Sequence, residues 1–261
     1  MSAECSRSSA VRPKSERRDP LLNTPAFAPR AAAFVVGGFV PLSSVDYPDE
    51  LAAVVFGQGC PWRCGYCHNP HLQSRRGRNE LSWSALLAFL ARRKGLLDAV
   101  VFSGGEPTLQ RDLPHALAEV RELGFKTGLH TAGVSPARLA AALPLLDWVG
   151  MDIKATFGRY AEVTAVPASG RHARASARLV IESGVAHEFR TTMCPGLVDA
   201  DDVRAIAAAL AKLGARHYAL QPFRPQGCSS DFSARVAARA IDPRLCGEIS
   251  PLFEHFTLRQ I

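Results

Sequence analysis

The sequence has no apolar stretch of the roughly 18–20 residues that a membrane-spanning helix needs. Its longest apolar stretch, residues 31–42, is interrupted by two glycines and a proline, so we interpret it as a strand. We also expect that this stretch is not the core of a signal peptide, because the segment before it carries Glu4, Glu16 and Asp19. We therefore expect a cytoplasmic protein that has no membrane partner.

The sequence also lacks the evenly paired cysteines of a disulfide-bonded protein and the biased composition of a disordered or fibrous one. There are seven cysteines, an odd number, and three of them lie within eight residues. In a cytoplasmic chain such a group indicates a metal site rather than a set of disulfides. Hydrophobic residues make up 47% and charged residues 21% of the chain. This composition excludes a fully disordered, collagen-like or coiled-coil protein.

The chain is basic, with a formal net charge of +7. Its first 30 residues hold six Lys or Arg residues against three acids, and they show no sustained periodicity. We predict that residues 1–32 form a disordered basic tail and that residues 33–261 form one domain. No basic segment is interleaved with aromatic residues, so we expect no nucleic-acid partner.

Six short apolar segments alternate with amphipathic segments between residue 50 and residue 225. The apolar segments are typical of strands in a buried parallel sheet; they are residues 52–56, 99–102, 126–130, 148–152, 188–192 and 217–221. Between them, the spacing of Trp83, Leu86, Leu87 and Leu90 gives one apolar helical face. Four further helices are predicted from Leu113, Ser135, about residue 175 and residues 199–202, and Asp112 is the expected cap of the first of these.

This alternation predicts an α/β fold, a partial (β/α)6 TIM-like barrel that is smaller than the full eight-unit barrel. In such folds the functional groups gather where the parallel strands end, at the carboxyl edge of the sheet. Polar residues do follow the predicted strands, which places the candidate site at that edge.

The loop after the first predicted strand carries Cys60, Cys64 and Cys67. Three thiolates on one loop could bind three corners of an iron–sulfur cubane, which normally has four cysteine ligands. One iron would then stay open to a substrate. A structural zinc site is the alternative, but zinc prefers four closed ligands, and His68 directly after Cys67 is poorly placed to be the fourth.

This loop, with the aromatic Tyr66 directly before its last cysteine, resembles the signature of the radical S-adenosylmethionine (SAM) superfamily. The resemblance implies a [4Fe-4S] cluster on Cys60, Cys64 and Cys67, whose open iron chelates the amino and carboxylate groups of SAM. One electron then cleaves SAM reductively to methionine and a 5′-deoxyadenosyl radical. The cofactors carry this chemistry, and the protein positions them.

The second predicted strand ends in Gly104, Gly105, Glu106 and Pro107. Small residues at a strand end let a ligand touch the backbone, and the Glu106 carboxylate could accept a hydrogen bond from an ammonium group. The resemblance implies that this element contacts the methionine amino group of SAM.

Later strands offer four more candidate SAM contacts, namely Thr131, Asp152, Lys154 and Arg190. Asp152 and Lys154 alternate along one strand and therefore point to the same face. They are either SAM contacts or a buried ion pair without a ligand role. Two other cysteines, Cys194 and Cys228, also follow strands, and we interpret them as incidental thiols.

Residues 38–48 and the end of the cysteine loop resemble activating enzymes of glycyl-radical enzymes. The strand-end segments at 129–133, 147–155 and 220–224 resemble the subgroup that activates anaerobic ribonucleoside-triphosphate reductase. The resemblance implies that the radical takes hydrogen from a glycine of that reductase, with an electron donor such as flavodoxin or ferredoxin. One departure is Asp49, where relatives are expected to have glycine.

Two alternatives stay open at this point. One is a radical SAM enzyme that acts on a small molecule, and the other is a non-catalytic iron–sulfur or zinc protein. The second alternative leaves the polar residues at the strand ends without a role.

Overall fold

The computed structural model describes residues 34–77 and 81–259. The predicted disordered tail, residues 1–32, lies outside the described residues. The strands are β1 (Val36–Ser43), β2 (Ala52–Gly57), β3 (Ala99–Gly104), β4 (Lys126–Thr131), β5 (Trp148–Asp152), β6 (Ala186–Met193), β7 (His217–Pro222) and β8 (His255–Leu258). The helices are α1 (Trp83–Ala91), α2 (Leu113–Glu122), α3 (Pro136–Ala142), α4 (Tyr160–Thr164), α5 (Ser169–Ser183), α6 (Ala200–Leu213), α7 (Ser230–Ser233) and α8 (Pro243–Ile249).

All eight strands form one sheet in the order of the chain. Strand β1 runs antiparallel to β2, and every later neighbour pair from β2 to β8 is parallel. The sheet is open, with β1 and β8 at its two edges. The predicted partial α/β barrel is therefore confirmed, and the six predicted strands correspond to β2–β7. Strand β8 was not predicted, because its four residues, His255–Leu258, are mostly exposed and show no buried apolar run.

The core lies on both faces of the parallel strands. Alternate residues such as Ala53 and Val55 face the helices, where they belong to the large apolar cluster. Their neighbours Ala52 and Val54 face the inside of the partial barrel and pack in a smaller cluster with Trp148. This division follows from the two-residue period of a strand, and it fixes the strand register.

The predicted helices are observed, with two differences at their N-termini. Helix α6 begins as expected, with a capping box between Asp199 and Asp202. Asp112 occupies the N-cap position of α2, as predicted, but its side chain makes no capping hydrogen bond. Helix α5 begins at Ser169, six residues before the predicted start, because its first turns are polar and carry little apolar periodicity.

Asp49 lies in the turn before β2 and has a φ of 61°. This left-handed conformation is easy for glycine and uncommon for other residues, although Asp tolerates it better than most. The turn therefore has the geometry that the expected glycine would suit, and the departure at Asp49 leaves the backbone path intact.

Candidate active site

The loop that follows β2 is held in place by its own backbone. The Gly59 amide donates to the Leu72 carbonyl oxygen at 2.8 Å, and the Cys60 amide donates to the Gln73 carbonyl oxygen at 3.1 Å. Gly59 has a φ of +100°, which a residue with a side chain rarely adopts. These contacts fold the cysteine-bearing segment into a compact loop over the end of the sheet.

Two aromatic side chains anchor this loop to the segment that follows β5. Trp62 is buried and packs edge-on against Tyr160, with ring centroids 5.7 Å apart. Tyr66 is buried as well, and its hydroxyl donates to the Lys154 carbonyl oxygen at 3.3 Å. Tyr66 therefore ties the loop to the end of β5, and burial raises the pKa of its phenol well above the usual value.

The paired glycines at the end of β3 permit a close approach to the same loop. The Gly105 amide donates to the Gly57 carbonyl oxygen, and the Glu106 amide donates to the Gly59 carbonyl oxygen, both at 2.9 Å. A Cβ atom on Gly104 would lie 2.6 Å from the Gly57 nitrogen, and one on Gly105 would lie 2.4 Å from the Gly59 oxygen. Neither position has room for a side chain, so both glycines are required by the backbone packing.

A cavity of about 190 Å³ opens at the carboxyl edge of the sheet, between this loop and strands β3–β7. Its wall includes ten of the eleven residues predicted for the site, namely Cys60, Cys64, Cys67, Tyr66, Gly104, Gly105, Thr131, Asp152, Lys154 and Arg190. Because the parallel strands end at the same edge of the sheet, these residues come together from five separate segments of the chain.

The most strongly charged part of the cavity wall is a group around Asp152. Arg190 Nε donates to Asp152 Oδ1 at 2.9 Å, and Lys154 Nζ lies 3.4 Å from Oδ2. The same ammonium lies 5.7 Å from the centroid of the Tyr66 ring, a cation–π contact. Burial opposes the charge on Asp152, but Arg190 and Lys154 outweigh that effect and hold the pKa of Asp152 far below its usual range. The group thus presents fixed charges of both signs to the cavity.

Replacing Arg190 by methionine is expected to lower the free energy of unfolding by about 1–2 kcal/mol near neutral pH, because Asp152 loses its nearer partner. The figure is modest because the Asp152 side chain is 35% exposed. Since folding lowers the pKa of Asp152 from 3.8, the pair stabilises the fold above that pH and loses its effect as the pH falls further.

Urea unfolding of the parent and of Arg190→Met, at neutral pH and at a pH below 3.8, measures this effect. The difference in the free energy of unfolding between the parent and Arg190→Met should be smaller at the lower pH. Lys154→Met is the matched control and should cost less, because its Nζ lies 3.4 Å from the carboxylate against 2.9 Å for Arg190. Equal urea midpoints for parent and Arg190→Met at both pH values would contradict the expectation.

Glu106 is the one predicted residue that does not line the cavity. It is 1% exposed, and its Oε1 accepts hydrogen bonds from the Thr108 hydroxyl at 2.6 Å and the Thr131 hydroxyl at 2.7 Å. Its Oε2 accepts from the Ala132 amide at 2.9 Å. Burial raises the pKa of Glu106, and these bonds counteract part of that rise. The carboxylate thus joins the ends of β3 and β4 behind the cavity wall.

Polar side chains outside the predicted set also line the cavity, among them His130, Thr192 and Gln221. His130 is fixed by a 2.8 Å contact between its Nε2 and the Asp46 carbonyl oxygen, and burial and the charge of Arg190 hold its pKa well below the usual value. Gln221 donates to the Thr192 hydroxyl at 2.9 Å, which orients both at the rim. The sequence does place these residues at strand ends. That position alone, however, does not distinguish a residue that contacts a ligand from one that only lies at the rim of the cavity.

Cys228 lies close to the cysteine loop, and Cys194 lies close to Cys228. Gly227, beside Cys228, packs so closely that a Cβ there would lie 2.6 Å from the His68 carbonyl oxygen. Burial raises the pKa of Cys194 to about 12, with a further contribution from Cys228. Burial also raises the pKa of Cys228, and Cys67 contributes to that shift.

The donor set of the cysteine loop fits an iron–sulfur cluster. Three free thiols line one cavity, on a loop whose glycines bring the backbone close. Within residues 34–77 and 81–259, no three His, Cys, Asp or Glu side chains form a group that could hold a single metal ion. A four-iron cluster is larger than one ion, and it would take one thiolate at each of three corners. Burial raises the pKa of Cys60 to about 12, and binding to metal would remove its proton.

Comparison with known proteins places this geometry in context. A family model described as the Radical SAM superfamily matches residues 54–210, from β2 into α6. A Methanocaldococcus jannaschii protein, provisionally named a glycyl-radical enzyme activating enzyme, is 33% identical over 201 residues, which cover 74% of this chain and 81% of the relative. The pyruvate formate-lyase-activating enzyme of Clostridium pasteurianum is 41% identical over 115 residues, covering 42% of this chain and 48% of the relative.

A solved structure shares the fold at low sequence identity. Streptococcus suis SuiB bound to S-adenosylmethionine superposes with a TM-score of 0.60 and 15% identity, over 78% of this chain and 48% of that protein. The chain thus spans about half the length of SuiB and of the Clostridium relative. None of the helices within the described residues is both long and apolar enough to cross a membrane.

Proposed function

The chain belongs to the radical SAM superfamily, and on that premise we propose that it is the activating enzyme of a glycyl radical enzyme. As a radical SAM enzyme it uses a [4Fe-4S] cluster and SAM as cofactors. The proposed substrate is a glycine of a partner protein, and the proposed partner is an anaerobic ribonucleoside-triphosphate reductase. A flavodoxin or ferredoxin is the proposed electron donor.

The observation that carries this proposal is the likeness to activating enzymes over most of the chain. The Methanocaldococcus jannaschii relative aligns with 81% of its own length, so the likeness extends well beyond the cysteine loop. The choice of reductase has narrower support, which is the resemblance of the strand-end segments at 129–133, 147–155 and 220–224 to that subgroup.

Each part of the cavity wall has a task in this proposal. Cys60, Cys64 and Cys67 hold the cluster, and Tyr66 fixes the loop that carries them. When bound, the cofactors supply reductive cleavage of SAM to a 5′-deoxyadenosyl radical, which takes a hydrogen atom from the partner's glycine.

The remaining wall residues hold and orient SAM. Gly104 and Gly105 offer backbone groups, and Thr131 offers a hydroxyl beside them. Asp152, Lys154 and Arg190 present charges of both signs, which suit the ammonium and carboxylate groups of SAM. Their mutual contacts fix these side chains before the ligand arrives, which lowers the entropic cost of binding.

The proposal is tested under anaerobic conditions with the reconstituted protein, dithionite and SAM. One sample contains the anaerobic reductase encoded in the same organism, and a second sample omits it. Formation of 5′-deoxyadenosine together with a glycyl radical doublet in the electron paramagnetic resonance spectrum of the reductase is expected. Deoxyadenosine without that doublet would contradict the proposed partner and favour a small-molecule substrate.

A further inference from the structure

A second concave region lies on the other side of Cys60. It is a groove of about 1170 Å³ between the cysteine loop, the segment after β3 and helix α3. Arg63, Arg75, Arg111 and Arg138 line it, and we call it the arginine groove. Cys60 belongs to the wall of both the groove and the cavity. A cluster held by Cys60 would therefore be bound by a residue that also lines the groove.

The charge in the arginine groove is almost entirely positive. Asp112 is the one acidic residue in its wall. Across residues 34–77 and 81–259, none of the four arginines has a carboxylate within the 4.0 Å of an ion pair.

Two of the four arginines are held against the groove wall by the backbone. Arg63 Nη1 donates to the Cys60 carbonyl oxygen at 2.7 Å, and Arg138 donates to the Leu109 carbonyl oxygen. The side chains of Arg75 and Arg111 are exposed and have no hydrogen-bond or ion-pair partner among the residues described. Four like charges that have no carboxylate partner among the described residues raise the local potential, and they attract an acidic macromolecule.

We propose that the arginine groove is the docking surface of an acidic one-electron carrier protein, such as a flavodoxin. The inference rests on the proposed function, because that reaction consumes one electron for each SAM cleaved. The carrier's anionic flavin hydroquinone loses one electron and becomes the neutral semiquinone, with no proton transferred. A carrier docked here would deliver the electron from the side of Cys60 to the cluster that Cys60, Cys64 and Cys67 would hold, and no bond would form between the two proteins.

The location favours a carrier over the glycine-bearing partner. The glycine has to reach SAM inside the cavity, whose rim is formed by His130, Thr192 and Gln221. The groove meets the cavity along Cys60 and Gln73, which belong to its wall. A protein in the groove would therefore approach the cluster from the side of Cys60, and it would leave the rim of the cavity free for the glycine partner.

The test measures binding of purified flavodoxin to the full-length, reconstituted protein at low and at high ionic strength. The double variant Arg75→Glu/Arg111→Glu reverses two charges that make no described structural contact. Its dissociation constant at low ionic strength should rise about tenfold or more, and the difference should shrink in high salt. Single-turnover reduction by flavodoxin hydroquinone, followed by absorbance, should slow in parallel.

The matched control is Arg92→Glu/Lys94→Glu, at the C-terminal end of α1 and the opposite edge of the sheet, where the side chains are exposed. It changes the net charge equally and should leave binding within about twofold. If the groove variant loses its cluster, Arg75→Gln/Arg111→Gln replaces it and should weaken binding in the same direction.

The outcomes separate this inference from the proposed function. Dithionite-driven formation of 5′-deoxyadenosine needs no carrier, so it should be the same in parent and groove variant. Its absence in the parent would refute the proposed function without affecting the binding result. Equal weakening by both double variants, or no measurable binding of flavodoxin to the parent, would overturn the docking proposal. So would a groove variant that still binds flavodoxin but no longer produces the glycyl radical with dithionite, because the groove would then serve the glycine partner.

Discussion

Replacing Cys60, Cys64 or Cys67 by alanine is expected to abolish cluster binding and reduce SAM cleavage to background. The three thiols lie on one loop in the cavity wall. Because backbone hydrogen bonds fix this loop, we expect that no other thiol takes the position of a removed cluster ligand. Losing one of three ligands leaves two, which is too few to retain a cubane with an open iron. Iron and sulfide content after anaerobic reconstitution measures cluster binding, and 5′-deoxyadenosine measures cleavage.

The other cysteines of the described chain provide matched controls. Cys194→Ala, Cys228→Ala and Cys246→Ala each remove one free thiol, and iron content and cleavage should stay within about twofold of the parent. Cys228 is the most demanding control, because Cys67 lies close enough to it to contribute to the raised pKa of Cys228. If Cys228→Ala lost its iron while one variant of the loop kept it, the assignment of the three ligands would be wrong.

The contrast between these cysteines shows what the sequence made predictable. The spacing of Cys60, Cys64 and Cys67 is a local pattern, and the alternation of strands and helices predicts that the loop lies at the carboxyl edge of a parallel sheet. Residues as far apart as Gly104 and Arg190 could therefore be assigned to one cavity, since parallel strands end on the same side.

Other features depend on contacts between segments distant in the chain and had no local signal. The antiparallel pairing of β1 with β2 is one of them. The arginine groove is another, because Arg63 and Arg138 come from the cysteine loop and from α3. The hydrogen bonds of Glu106 to Thr131 and Ala132 are a third, and they require the three-dimensional register of β3 beside β4. Sequence periodicity indicates on which face of the sheet a residue lies, but it does not identify the residue that it contacts on the neighbouring strand.

Replacing Glu106 by alanine is expected to lower the free energy of unfolding of the SAM-free protein by about 3 kcal/mol. The change deletes the acceptor of the Thr108 and Thr131 hydroxyls and of the Thr108 and Ala132 amides, whose hydrogens are then left buried without an acceptor. Each such group costs about 1–3 kcal/mol, and partial relaxation reduces the sum. Glu106→Gln should lower the free energy of unfolding by less, because the side-chain amide keeps one acceptor oxygen. It still destabilises the protein, since its NH₂ group then faces one of the existing hydrogen-bond donors. Urea unfolding measures both variants.

The same substitutions decide whether Glu106 acts on SAM directly or through the cavity wall. The family resemblance implies a contact with the amino group of SAM, whereas the carboxylate lies 1% exposed behind Thr131 and Ala132. If Glu106 acts through the wall, SAM binding by equilibrium dialysis should weaken in proportion to the loss of stability. Thr108→Val is the matched control: it removes one bond to the carboxylate away from the cavity, and it should cost about 1 kcal/mol with SAM affinity unchanged. A Glu106→Gln protein with the parent's stability and a strongly reduced SAM affinity would instead show that the carboxylate reaches SAM, and the buried position would then belong to the SAM-free state alone.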